Sequence, residues 1–211
     1  MSQSLDDEAL AKAVRSLCRR EPRFKAVVKA HGMPSLRAGK SGLEGMLIIV
    51  TEQFLSLAAA RAIWLRLEAR LQPFAPDHIM LCTQAELVAL GLSNAKAKSF
   101  HGLARAAHEG DFDHDVLMAM DDGAAQKSLI ALPGVGPWTA DIYLLTACLR
   151  ADVWPWGDVA LQAAAQDLFK LKARPGKPEM LELGEAFRPY RAVAARLLWS
   201  HYRGLKQMKQ A

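Results

Sequence analysis

Apolar residues recur at spacings of three and four along nearly the whole chain and almost never alternate. The pattern therefore predicts helices throughout and almost no strand. Residues 6–19 and 22–31 read as two amphipathic helices. Residues 39–45 are a polar, glycine-bearing connection. The stretches 43–53 and 56–71 then read as apolar helices meeting at a Phe54-Leu55-Ser56 corner. The pattern breaks at 72–76. Thr83 followed by Glu86 predicts a capping box ahead of 87–90, and Ser93 is placed to cap a helix over 95–109. After a loop at 110–115 come shorter helical runs at 116–120 and 123–131. Longer ones follow at 138–149, 159–171, 179–187 and 190–202, with a Pro/Gly loop at 174–178. No internal repeat or low-complexity linker is present.

The junction between the runs ending at 131 and starting at 138 is the most informative stretch. It reads Leu132-Pro133-Gly134-Val135-Gly136-Pro137-Trp138. Pro133 stops the first helix, because its ring removes a donor and pushes the preceding residue out of the α region. Gly134 and Gly136 allow a tight turn and leave no Cβ to keep another backbone away. Pro137 suits the first turn of the next helix. The product is a helix–hairpin–helix whose turn directs free N–H groups outward from a helix N-terminus. Such a surface holds a phosphodiester without reading sequence.

Composition narrows the partner. The 211 residues are 51% hydrophobic, enough to bury the core of one or two small domains. The formal net charge of +5 favours a polyanionic partner. No 18-residue apolar run lacks charge and the first twenty residues carry no signal-peptide core, so a soluble, intracellular protein with no membrane contact is expected, cytoplasmic or with the nucleoid. Three widely spaced cysteines, Cys18, Cys82 and Cys148, suit reduced thiols, and no His/Cys/Asp cluster has zinc spacing.

Beyond the second helix of the hairpin, Trp154-Pro155-Trp156-Gly157 forms a rigid loop that ends on Asp158, at the head of the 159–171 helix. Asp before Val-Ala-Leu-Gln is an ordinary N-cap. The same position, where helix peptide dipoles stabilise negative charge, suits a functional carboxylate. The two roles are compatible.

Hairpin, Thr139-Ala140 helix and loop aspartate in this order resemble the helix–hairpin–helix DNA glycosylase superfamily, in its 3-methyladenine DNA glycosylase II branch. Three further blocks carry the resemblance. Gln53-Phe54-Leu55-Ser56 with Ala60 is similar to the branch's Gln-x-x-Ser-x-x-x-Ala. Gly91-Leu92 with Lys96-Ala97 is similar to its Gly-Leu/Met-x-x-x-Lys/Arg-Ala, and Pro189-Tyr190-Arg191 with Trp199 and Tyr202 to its Pro-Trp-Arg…Trp-Tyr close. Together the blocks span about 43–203.

The resemblance implies an all-α fold of two helical lobes. Residues 1–40 with 138–211 would form one lobe and 41–137 the other, with the active-site cleft between them. Larger relatives carry an N-terminal β domain, which is expected to be missing here. The implied function is a monofunctional, hydrolytic glycosylase that flips and excises alkylated purines from double-stranded DNA in base excision repair, acting as a monomer. Asp158 would be the catalytic carboxylate. Trp138, Trp199, Ile142 and Trp156 are candidates for the base pocket. Aromatic rings there would select cationic alkylated bases. Trp138 stands where relatives that also cut the backbone have a Schiff-base lysine. Gln53, Phe54, Leu132, Gly134, Gly136 and Thr139 are the implied DNA contacts. Phe54 matches the side chain that fills the gap left by a flipped nucleotide, although a buried residue stapling two helices is an equal reading. Backbone carbonyls of Ile130, Leu132 and Gly134 would hold a structural Na+ or K+. No iron–sulfur cluster is implied, since nothing after Cys148 could ligate one. Lys96, Lys98, Arg191 and Arg203 are candidates for further phosphate contacts, with a plain solvated basic residue as the other reading of each.

Two departures leave the substrate range open. Ile142 replaces the branch's usual aromatic, and Gly157 stands where a second Asp is common. A glycosylase for hypoxanthine, ethenoadenine or uracil is the nearest alternative. A non-catalytic helix–hairpin–helix DNA-binding protein is the next, though it has no need of Asp158. A helical scaffold explains the helices but not four ordered blocks.

Overall fold

The computed structural model describes residues 4–208, and these form α-helices with no strand beyond one isolated bridge, Ser4 to Arg150. In chain order the helices are α1 (Asp7–Arg20), α2 (Arg23–His31), α3 (Gly42–Glu52), α4 (Leu57–Leu71) and α5 (Pro76–Leu81). They continue with α6 (Gln84–Ala89), α7 (Asn94–Glu109), α8 (His114–Ala119) and α9 (Asp122–Ile130). The last four are α10 (Pro137–Thr146), α11 (Val159–Leu168), α12 (Lys177–Glu185) and α13 (Arg191–Met208). No described helix is long and apolar enough to cross a membrane.

Two compact units divide the chain. The first is Gly39–Tyr143; the second joins the N-terminal segment through Ala38 to the chain from Leu144 onward. The sequence puts the second boundary at 137/138, whereas in the structure it falls within α10, at 143/144. Side-chain bonds explain the shift. Tyr143 is fully buried; its hydroxyl accepts from the Gly42 amide at 2.9 Å and meets His114 Nδ1 at 3.1 Å, both in the first unit.

The first unit is organised around α7, which packs against α3, α5 and α6. Ser93 caps α7 through its hydroxyl, and Thr83 and Glu86 complete the capping box of α6. Ala97, Phe100, Leu103 and Ala104 give α7 an apolar face with no exposed surface. α5 escapes the sequence reading because, unlike α6 and α8, it starts from Ala75 with no capping side chain to mark it.

The second unit is organised around α13, which packs against α1, α2 and α11. Residues 192–198 are buried on all sides, and Ala192, Ala194 and Ala195 let neighbouring helices approach closely. Arg196 is the polar exception. Its guanidinium donates to Leu145 O at 2.8 Å and Ser35 O at 3.4 Å, and burial, with Arg37 nearby, pushes its pKa down to about 10.

Two helix ends fall short of the predicted limits because non-glycine residues take left-handed conformations. Leu149 (φ +52°) follows the end of α10 at Thr146. Lys170 (φ +54°) closes α11, and the Leu171 amide bonds back to Gln166 O at 2.9 Å. α12 begins inside the predicted 174–178 loop, with Pro178 in its first turn.

Candidate functional site

In the first unit, α9 ends at Ile130, and the turn is closed by the Val135 amide donating to Leu132 O at 3.2 Å. Gly136 O then accepts the first bond of α10, from Ala140 at 3.0 Å. The two glycines differ in purpose. Gly134 sits at φ +77°, and a Cβ there would overlap the Ser99 side chain on α7. One turn along α7, Gly102 makes room for the Pro133 ring. The hairpin is thus seated on α7 by Ser99 and Gly102, a contact with no signal in the sequence. Gly136, by contrast, has an ordinary φ, and nothing lies within 4 Å of where its Cβ would be. The fold does not need that glycine. Among the described residues, nothing accepts from the amides of Gly134 and Gly136.

The carbonyls implied as cation ligands keep acceptor capacity. Leu132 O accepts one amide, Gly134 O accepts Gln53 Nε2 at 3.2 Å, and each retains a second lone pair. No backbone amide among the described residues donates to Ile130 O, which lies at the helix end where such partners run out.

Gln53 and Thr139, implied DNA contacts, engage their side chains within the first unit. Thr139 is buried, and Gln53 Nε2 donates to its Oγ1 at 2.8 Å as well as to Gly134 O. Their polar atoms tie the corner to the hairpin. Next to Gln53, Phe54 is fully solvent-exposed, at 103% relative accessibility, in a left-handed conformation (φ +57°). This excludes the buried-staple reading. Lys96, a candidate phosphate contact, is engaged within the first unit. Its Nζ donates to Thr51 O at 2.8 Å and Gln53 O at 2.7 Å, and burial lowers its pKa. Trp138 is half-buried as the second residue of α10, and Ile142 is buried one turn on, with 8% exposure.

In the second unit, the loop that presents Asp158 is fastened at several points. Trp154 is buried; its indole donates to Met180 O at 2.7 Å, and its ring occupies the space a Cβ on Gly184 would fill. The Ala192 amide of α13 donates to Ala151 O at 3.0 Å. Arg191 grips Asp152 with a forked pair, Nε to Oδ1 at 2.9 Å and Nη2 to Oδ2 at 3.1 Å, and Arg188 adds a bond at 2.8 Å. Arg191 is therefore engaged in the loop. Arg203 donates to Ser200 Oγ at 2.8 Å.

At the end of this loop Asp158 caps α11, with Oδ1 accepting the Leu161 amide at 2.7 Å. The same Oδ1 accepts the indole N–H of half-buried Trp199 at 3.0 Å. The sequence reading missed this bond. It joins residues 41 apart on separate helices, and nothing in the local pattern signals it. Trp156 has the Lys177 ammonium over one face of its ring, 5.0 Å from the centroid.

An all-helical chain with a glycine hairpin between α9 and α10 and an aspartate at the head of α11 has the ordered features of a helix–hairpin–helix protein. Residues 47–189, about two thirds of the chain, match the HhH-GPD superfamily of base excision DNA repair proteins, and the chain belongs to that superfamily. It is 32% identical over 124 residues to a Bacillus subtilis DNA-3-methyladenine glycosylase, a match covering 58% of this chain and 41% of that protein. It is 29% identical over 161 residues to the alkylbase DNA glycosidase-like protein mag2 of Schizosaccharomyces pombe, covering 74% and 76%. The fold superposes on S. pombe 3-methyladenine DNA glycosylase Mag1 in complex with abasic DNA, with a TM-score of 0.83 and 26% identity over 89% of this chain and 95% of that one. The chain spans less than half the length of the Bacillus subtilis relatives it matches.

Proposed function

We propose that this protein is a monofunctional DNA glycosylase that excises alkylated purines, of the 3-methyladenine and 7-methylguanine type, by hydrolysis. The observation that carries the reading is Asp158, held by the Leu161 amide and the Trp199 indole at the N-terminus of α11. The bond to the Leu161 amide is what a helix cap needs; the second bond, from the Trp199 indole, goes beyond capping and fixes the carboxylate's orientation. In the reaction the C1′–N bond breaks, its electron pair leaves with the base, and an alkylated cationic purine departs neutral. The sugar becomes oxocarbenium-like, and the Asp158 carboxylate stabilises that charge. Water adds to C1′ and gives its proton to the carboxylate, leaving an intact strand with an abasic site.

Other residues supply the binding. The open Gly136 and the unpartnered hairpin amides suit the approach of a phosphate. A Na+ or K+ held by the carbonyls of Ile130, Leu132 and Gly134 would add positive charge beside that phosphate and take no part in the chemistry. Phe54, exposed on its turn, is shaped to enter the base stack when a nucleotide flips out. Trp138 and Trp199, each half-buried within its own unit, each present a ring of the kind that suits a cationic base. Trp138 has no amine for a Schiff base, so no strand cut follows. The relatives named for 3-methyladenine support the same substrate class.

The test is single-turnover base release from duplexes carrying 7-methylguanine or hypoxanthine, with borohydride present in a parallel reaction. Faster release of the cationic base and no trapped adduct are expected. Preference for hypoxanthine would replace the alkylpurine reading with the neutral-lesion one. An adduct in good yield would overturn the monofunctional assignment.

A further inference from the structure

We propose that Lys96 is a positioning residue for nucleotide flipping, clamping the carbonyls of Thr51 and Gln53 so that Phe54 is presented as a rigid wedge. The inference rests on the proposed role of Phe54. A phenylalanine at φ +57° with its whole ring in solvent gains nothing from packing, and left-handed backbone is costly for a residue with a Cβ. Such a conformation persists only where its surroundings over-determine it.

Three contacts do so. α3 ends at Glu52, so its last carbonyls have no helical partner. Lys96, reaching across from α7, places one ammonium on Thr51 O and Gln53 O at 2.8 and 2.7 Å. A cation there suits the negative end of the helix dipole, and the chain is fixed immediately before Phe54. The Gln53 side chain then ties the corner to Gly134 O and Thr139 Oγ1, so the wedge keeps register with the hairpin. Finally, the Leu55 amide closes the turn on Glu52 O at 3.2 Å. Lys96 is half-buried, and burial disfavours its charge, so the two carbonyls are what the position is built to engage.

The loss of Lys96 should therefore loosen the wedge while leaving the hairpin's phosphate grip intact. The probe is a duplex with 2-aminopurine next to a tetrahydrofuran abasic nucleotide, whose fluorescence rises when the neighbouring stack is opened. It depends on no particular lesion. K96M is expected to reduce the rise about as much as F54A, roughly tenfold in the flipping equilibrium, while affinity for undamaged duplex stays within about twofold. The double variant K96M/F54A is expected to flip no worse than F54A alone, because both changes remove one device. K96R keeps the charge and the donors and is expected within about threefold of wild type, which also provides a folded variant should K96M unfold. Multiplying losses in the double variant, a K96R as defective as K96M, or equal weakening on undamaged DNA would each overturn the proposal. A wild type that opens the stack yet releases no alkylated base would overturn the proposed substrate and leave the Lys96 inference standing. A wild type that does not open the stack would overturn the Lys96 inference.

Discussion

Asp158 Oδ1 accepts from both the Leu161 amide and the Trp199 indole, so the helix cap and the candidate catalytic group are the same atom. Asp158→Asn is expected to reduce base release by ~10²-fold or more with DNA binding nearly unchanged, since it removes charge at constant shape. Single-turnover rates and equilibrium binding on one duplex check this. Trp199 contributes a ring and a donor, and two substitutions separate them. Trp199→Phe loses only the donor and is expected to slow release of cationic and neutral bases alike, by about tenfold for one hydrogen bond to a charged group. Trp199→Leu loses the ring as well and should add a loss concentrated on 7-methylguanine; equal losses on both lesions would reduce Trp199 to a carboxylate holder. Glu52 is a different case, since it lines a groove with Ile48, Leu57 and Trp64, and burial raises its pKa above the ordinary 4.5. The folded chain holds this proton more tightly than the unfolded one. Its stabilising contribution is therefore complete below pH 4.5 and is lost as pH rises through the folded value. Glu52→Gln should melt higher than wild type at pH 7.5, with the difference shrinking toward zero near pH 4.

The hairpin shows at the scale of one element how two glycines in one motif answer different demands. Gly134 answers the fold, through its left-handed φ and the Ser99 contact, and Gly136 answers whatever approaches from outside. Gly134→Ala is expected to destabilise by about 2 kcal/mol, a fall of roughly 4–8 °C in melting temperature at this chain length. Gly136→Ala should melt like wild type and bind duplex DNA several-fold more weakly, on damaged and undamaged sequences equally, because phosphate contacts position without specifying. Calorimetry and equilibrium titration of the two variants side by side separate the roles. Loss of affinity on damaged DNA alone would assign Gly136 to base recognition.

Over the whole molecule, the hairpin and Phe54 belong to one unit and Asp158 with Trp199 to the other. The first unit is contiguous in sequence, with its own capped helices and a buried face on α7. A fragment spanning 39–143 is therefore expected to fold as a helical domain and bind duplex DNA while releasing no base. Circular dichroism, titration and an excision assay on the fragment test this, and measurable excision would remove Asp158 from the chemistry.

The helices, their N-caps at Ser93 and Thr83, the hairpin and the loop aspartate were legible in the sequence, because each is specified by residues within a few positions of one another. Helical periodicity, Pro and Gly punctuation and capping side chains act over a single turn, and the order of the motif blocks placed the chain in its superfamily. Tertiary structure decided what each polar group does with its hydrogen bonds. Lys96 and Arg191 read as basic side chains open to a phosphate, yet one is committed to the carbonyls at the end of α3 and the other to Asp152. Gln53 and Thr139 read as DNA contacts and bond to each other. Phe54 could have been buried or exposed, and only the turn at its φ of +57° put the ring in solvent. The Trp199–Asp158 bond exists because α13 lies against α11. A buried polar group must find a partner wherever the packing supplies one, and those partners lie tens of residues away, beyond the reach of any local pattern.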